Sequence, residues 1–92
     1  MYTVKFTAAY KKSYKRIVKR GLDVSALDKV IDELRQGNAL DPKYKDHSLK
    51  GKFLDFRECH IQADWLLIYL IEDDILTLTL VDTGSHSDLF KL

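Results

Sequence analysis

Three histidines, His47, His60 and His86, and the carboxylate Asp64 are the side chains in this chain most suited to chemistry. Imidazole titrates closest to neutrality, which makes it the default proton-transfer group, and a neighbouring carboxylate can orient it. Read singly, each histidine is an ordinary polar residue of a loop or strand end. Read together, at the ends of adjoining strands, they form a candidate general acid–base set if the fold brings them to one rim. Metal ligation is the rival use. Zinc sites draw on tight local pairs of the H-x₃₋₅-H or C-x₂-C kind, and none occurs here. Cys59 neighbours His60, but adjacent strand residues point to opposite faces, so the thiol reads as a small core residue. Gly51 and Gly84 are isolated turn glycines, not a phosphate-cradling loop. Neither a metal nor a cofactor is expected.

Two aromatic residues and several cations surround this set. Trp65, at the mouth of a strand, is a core residue when read alone; beside histidines and bases it could stack on a nucleobase. Phe90 carries the same ambiguity. Arg57, Lys50 and Lys52 add positive charge near the same strands.

These residues must be positioned by elements that the pattern predicts. Alternation over Met1–Phe6 predicts a short strand, with Tyr2, Val4 and Phe6 on one side. Thr7 then caps a helix whose apolar residues Tyr10, Tyr14, Ile17 and Val18 recur at helical spacing, and Gly21 stops it. A second helix opens near Asp23 or Ser25, with Ser25 and Asp28 as a capping box and Leu27, Val30, Ile31 and Leu34 as its apolar stripe. The short link predicts an antiparallel helical hairpin. A polar connection follows from Asn38 to Gly51. Three strands are then expected at Phe53–His60, Asp64–Ile71 and Ile75–Val81, joined by hairpin-length breaks. The run Leu66–Ile71 is apolar on both faces and so should be central. The tail from Thr83 reads as a glycine turn and a one-turn helix, capped by Ser85 and closed by Asp88. The order β-α-α-β-β-β with a short terminal helix is an α+β domain, the helical hairpin packed on a mostly antiparallel sheet of 4–5 strands.

The chain has 92 residues, 46% of them hydrophobic and 32% charged, which predicts one globular domain over 1–92 and argues against disorder. A single cysteine precludes an internal disulfide and fits a reducing compartment. No membrane-spanning apolar run or signal-like N-terminus is evident, so a cytoplasmic protein is expected. The net charge of +1 conceals an asymmetry. Up to Leu22 the ionisable side chains include Lys5, Lys11, Lys12, Lys15, Arg16, Lys19 and Arg20, and no acid. Clustered cations of this kind suit a polyanion or an acidic partner, although a solvated helix face reads the same way.

Specific strings then stand out: Tyr44-Lys45-Asp46-His47-Ser48-Leu49-Lys50-Gly51, Phe56-Arg57-Glu58-Cys59-His60, Asp64-Trp65-Leu66-Leu67-Ile68-Tyr69 and Thr83-Gly84-Ser85-His86-Ser87-Asp88-Leu89-Phe90. In this order, and over essentially the whole chain, they resemble the YafQ branch of the RelE/ParE toxin superfamily. The resemblance implies the toxin of a bacterial type II toxin–antitoxin pair. Such a toxin is a ribosome-dependent endoribonuclease that cuts mRNA in the ribosomal A site by attack of the ribose 2′-hydroxyl on the adjacent phosphodiester. Carried over by position, it implies His47, His60 and Asp64 as the base-side and orienting cluster and His86 as general acid. Trp65 and Phe90 become base-contacting aromatics. The basic first helix (Lys11, Lys12, Lys15, Arg16, Lys19, Arg20) would face ribosomal RNA phosphates. A DinJ/RelB-like antitoxin with a disordered acidic segment is the implied protein partner. One position departs from the pattern: Asp82 stands where the family usually has a phosphate-binding arginine. Either Arg57, Lys50 or Lys52 substitutes for it, or activity is reduced, or Asp82 points away. A ParE-like gyrase inhibitor and a catalytically weakened binding module are the alternative readings; the first fits poorly, because that branch does without the histidines.

Overall fold

In a computed structural model, which describes residues 1–51 and 55–90, the chain builds one five-stranded sheet with the helices laid against it. The elements are β1 (Thr3–Phe6), α1 (Ala8–Lys19), α2 (Val24–Arg35), a single 3₁₀ turn (Pro42–Tyr44), β2 (His47–Ser48), β3 (Arg57–Gln62), β4 (Trp65–Glu72), β5 (Thr77–Gly84) and α3 (His86–Phe90). The spatial order is β1-β5-β4-β3-β2. β4 occupies the centre, as its two-sided apolar run requires, and Leu66, Leu67, Ile68 and Tyr69 are all buried. β2, β3, β4 and β5 pair antiparallel, while β1 joins β5 in parallel, so the sheet is mixed.

The local signals act largely as read. Thr7 Oγ1 accepts the Tyr10 amide at 2.9 Å and caps α1. For α2 the cap is Asp23, which accepts from the Ser25 amide at 3.1 Å, rather than a Ser25–Asp28 box. The buried stripe of α1 is Tyr10, Ser13 and Ile17. Val18, expected to face inward, is 52% exposed, because the helix turns Ser13 toward β5, where its hydroxyl donates to Asp82 Oδ1 at 2.6 Å. Phe6 is likewise exposed at the end of its strand. The presumed polar connection contains the 3₁₀ turn and β2. Of the first expected meander strand, Phe53 and Leu54 lie outside the described residues, as does Lys52.

Two irregularities set the geometry at the far end of the sheet. The β3–β4 pairing shifts between His60 and Gln62, and the β4–β5 pairing shifts so that Tyr69 faces Leu80 while Ile68 faces Asp82. Val81 is thus an extra, unpaired residue, a β-bulge. Its carbonyl accepts the Thr7 hydroxyl at 2.6 Å. The core beneath the sheet joins Tyr10, Ile17, Leu27, Val30 and Leu34 of the helices to Cys59, Trp65, Leu67, Tyr69, Leu78 and Leu80 of the strands.

Candidate functional site

The end of β3, the start of β4 and the end of β5 meet at one rim of the sheet, and the histidines stand along it. The His47 and His60 ring centroids are 6.4 Å apart, His60 and His86 5.9 Å, and His86 and Phe90 6.3 Å. β2 contributes His47 opposite Glu58, β3 contributes His60 opposite Leu66, and α3 opens on His86.

Hydrogen bonds assign the ring nitrogens. His47 Nδ1 lies 2.7 Å from the Lys45 carbonyl, which can only accept, so Nδ1 carries the proton and Nε2 is the free, basic nitrogen of the neutral ring. His86 Nδ1 lies 2.7 Å from Asp64 Oδ1, and the His86 amide donates to the same oxygen at 3.1 Å. That amide and then that ring hold the Asp64 carboxyl below its ordinary value. An ionised Asp64 fixes the Nδ1–H tautomer and directs His86 Nε2 outward. Asp64 therefore belongs with His86, not with His47 and His60 as the family pattern implied. The two-residue turn after the irregular end of β3 swings it across to the first residues of α3.

Sequence reasoning passed over Glu58. It is 5% exposed, and its Oε1 lies 3.7 Å from both His47 Nε2 and His60 Nε2, a carboxylate set between two imidazoles. The signal was available: Glu58 and His60 are two apart on a strand and so share a face.

The terminal turn is built tightly. Asp88 Oδ2 accepts the Ser85 amide at 3.0 Å and Ser85 Oγ accepts the Asp88 amide at 3.1 Å, the expected capping box. Asp88 also takes a forked pair of hydrogen bonds from Arg20, at 2.7 and 3.2 Å, with Arg16 at 3.6 Å. Gly84 is required here. At φ +153° it adopts a conformation that suits glycine, and an added Cβ would come within 2.9 Å of Asp88 Oδ2. Arg20, followed by the Ser85 amide, holds the Asp88 carboxyl well below the usual carboxylate range. The sign of the linkage follows. A depressed native pKa contributes stability that is complete above the unfolded value, near 3.8, and drains away as pH falls toward the native one. Asp88→Asn should therefore lower Tm at neutral pH and flatten its decline on acidification, checked by thermal melts from pH 7 to pH 2.

Several sequence assignments are relocated. Trp65 is 3% exposed; its indole N–H donates to Thr83 Oγ1 at 2.9 Å, which in turn donates to the Leu66 carbonyl at 2.6 Å. It presents no free face for a base and is a core residue. Phe90, half-buried beside His86, keeps its place at the rim. Arg57 donates to Asp46 Oδ2 at 3.0 Å, and Tyr69 donates to the other oxygen of the same carboxylate. Strand alternation places Arg57 with Cys59, on the face opposite Glu58 and His60. Lys50 lies beyond Leu49, whose amide bonds the Phe56 carbonyl, so β2 carries it away from the histidine end. Of the basic first helix, Arg16 and Arg20 are turned onto Asp88, whereas Lys11, Lys12, Lys15 and Lys19 are exposed. Asp82 is held by Ser13 and by the Thr83 amide at 2.8 Å. Burial pushes the Cys59 thiol up to about 12, which removes it as a nucleophile at neutral pH. Among the described residues no group of three or more His, Cys, Asp and Glu side chains is arranged to hold a metal ion.

This placement yields a direct test of Arg57. Arg57→Ala should lower Tm by at most roughly 4–8 °C, the equivalent of a partly exposed ion pair worth up to about 1 kcal/mol. The single-turnover cleavage rate should be unchanged; a large loss of rate would return Arg57 to the chemistry.

Comparison with known proteins agrees with this architecture. A family model for the bacterial toxin of type II toxin–antitoxin systems, YafQ, matches residues 2–91. The mRNA interferase toxin YafQ of Escherichia coli K12 is 33% identical over 88 residues, 95% of this chain and 94% of that one. A metal-bound toxin from Helicobacter pylori superposes with a TM-score of 0.92 at 48% identity, covering 98% of this chain and 100% of that one. The toxin of the E. coli DinJ–YafQ toxin–antitoxin complex superposes with a TM-score of 0.88 at 32% identity, covering 97% of both chains. The chain belongs to the YafQ family of bacterial type II toxins. Among the described residues no helix is long and apolar enough to cross a membrane.

Proposed function

We infer that this chain is an mRNA interferase, the toxin of a type II pair, acting in the cytoplasm on mRNA held in the ribosomal A site. The observation that carries the reading is the row of imidazoles, 6.4 and 5.9 Å apart, ending in an Asp64–His86 pair at 2.7 Å.

Attack by a 2′-hydroxyl needs a base on that hydroxyl and an acid on the departing 5′-oxygen, on opposite sides of the phosphorus. His47, with its proton held at Nδ1 by a backbone carbonyl, offers Nε2 as the base. His60 stands between, next to the reacting phosphate, and Glu58 orients both rings. His86, as the imidazolium whose Nδ1–H is held by Asp64, delivers its Nε2 proton to the leaving oxygen and is left as the neutral Nδ1–H ring. The 2′-oxygen forms its bond to phosphorus as the 5′-oxygen leaves, giving a cyclic phosphate and a free 5′-hydroxyl. Phe90, beside His86, is placed to contact a base at the cleavage point. The exposed lysines of α1 offer a face to ribosomal RNA phosphates. A DinJ-like antitoxin is the protein partner, consistent with the E. coli complex.

The test is induction in cells without antitoxin, with transcript 5′ ends mapped. Growth should stop, new 5′-hydroxyl ends should appear inside reading frames, and co-expression of the antitoxin should restore growth. Broken DNA with intact transcripts would replace this reading with gyrase inhibition.

A further inference from the structure

A phosphorane gathers negative charge, and a site that makes one needs cations nearby. The family's usual position is occupied by Asp82, Arg57 is on the other face, Lys50 is carried off by β2, and Arg16 and Arg20 are held by Asp88. Three lysines nonetheless line one groove that adjoins the rim. This groove of about 480 Å³, ample for a nucleotide, runs off from His60 between the 3₁₀ turn, α2 and the β3–β4 turn. Its walls carry Lys29, Lys43 and Lys45 beside Tyr44 and Gln62. All three lysines are exposed, and none makes an ion pair among the described residues.

Lys45 has a second mark. It sits at φ 50°, the left-handed region that a long side chain seldom adopts, held there by its amide donating to the Pro42 carbonyl at 3.0 Å. In that conformation its own carbonyl fixes the His47 ring. The β2–β3 register, with His47 opposite Glu58, carries the chain back from His47 so that Lys45 lies toward His60. One residue therefore ties a ring nitrogen of the rim to the cationic wall of the groove.

We propose that this groove is a phosphate subsite for single-stranded RNA: Lys29, Lys43 and Lys45 hold the phosphodiester flanking the one that is cut, and so align the strand over His60. The proposal rests on the nuclease reading and deepens it. It supplies from the 3₁₀ turn and α2 the positive field that Asp82 does not.

The experiment is a cleavage cycle on ribosomes programmed with mRNA that carries one neutral methylphosphonate at either phosphate flanking the scissile bond. For the wild-type toxin, one of the two neutral linkages should lower kcat/KM about tenfold, on the scale of lost phosphate contacts. The triple variant Lys29→Ala, Lys43→Ala, Lys45→Ala should lose about as much on native mRNA, at unchanged Tm. Combining that variant with that linkage should cost nothing further, and the triple Lys→Arg variant should restore most of the rate. A triple alanine variant that cuts native mRNA as the wild type does, or losses that simply multiply, would overturn the subsite while leaving the nuclease intact. A wild-type toxin that cuts no programmed mRNA would overturn the nuclease reading and the subsite together.

Discussion

His86→Ala should reduce the single-turnover rate of mRNA cleavage by about 10²–10⁴-fold, the span of one general acid–base group. It should also abolish growth arrest. The size of the effect follows from geometry. His86 is the one ring of the row that a carboxylate meets at hydrogen-bond distance, Asp64 engaging both its Nδ1 and its backbone amide. The substitution should leave folding untouched, because the ring is 44% exposed and the capping box of α3 is made by Ser85 and Asp88, not by the imidazole. Thermal melts of the variant should therefore overlay those of the parent. An undiminished cleavage rate would remove His86 from the reaction.

The largest expected change in stability is at Trp65. Trp65→Ala deletes a fully enclosed indole and leaves the Thr83 hydroxyl with the Leu66 carbonyl but without its donor, at a cost of about 3–5 kcal/mol. A small domain has about 5–15 kcal/mol in total, so the loss is a large share of the margin, and Tm should fall by well over 10 °C at roughly 4–8 °C per kcal/mol. Trp65→Phe retains most of the packing and gives up the N–H bond. It should melt lower than the parent but higher than the alanine variant, with KM for programmed ribosomes unchanged. A Trp65→Ala protein with the parent Tm and a raised KM would instead make the residue an RNA platform.

What could be read from the sequence divides along the range of the contacts involved. Element order, the Thr7 cap, the Ser85–Asp88 box and the central position of β4 depend on neighbours in sequence or on a single apolar run, and these were legible. The meeting of His47, His60 and His86 was legible as a consequence of strand ends in a meander, though not their spacing. Three features were hidden because they depend on long-range partners. Trp65 is committed to Thr83, eighteen positions on. Arg57 is committed to Asp46, and Asp64 to His86. The α1 stripe was misjudged for a related reason: Ser13 faces inward only because Asp82, far along the chain, receives its hydroxyl. Glu58 was missed although period-two alternation from His60 pointed to it.

The unpaired Val81 in β5 has a consequence for the far end of the molecule. Side chains alternate along a strand, so one additional residue exchanges inside and outside for everything that follows. Leu80 faces the core before it and Thr83 faces the core after it, an odd interval that only such an insertion permits. Drawing Val81 into the ladder opposite Ile68 would keep every chemical group of the rim in the chain and yet put Asp82 opposite Leu67 and turn Thr83 away from the indole, carrying the glycine, the terminal turn and its imidazole round with it. Whether the reacting groups meet is thus governed by a parity, the evenness or oddness of a count of residues.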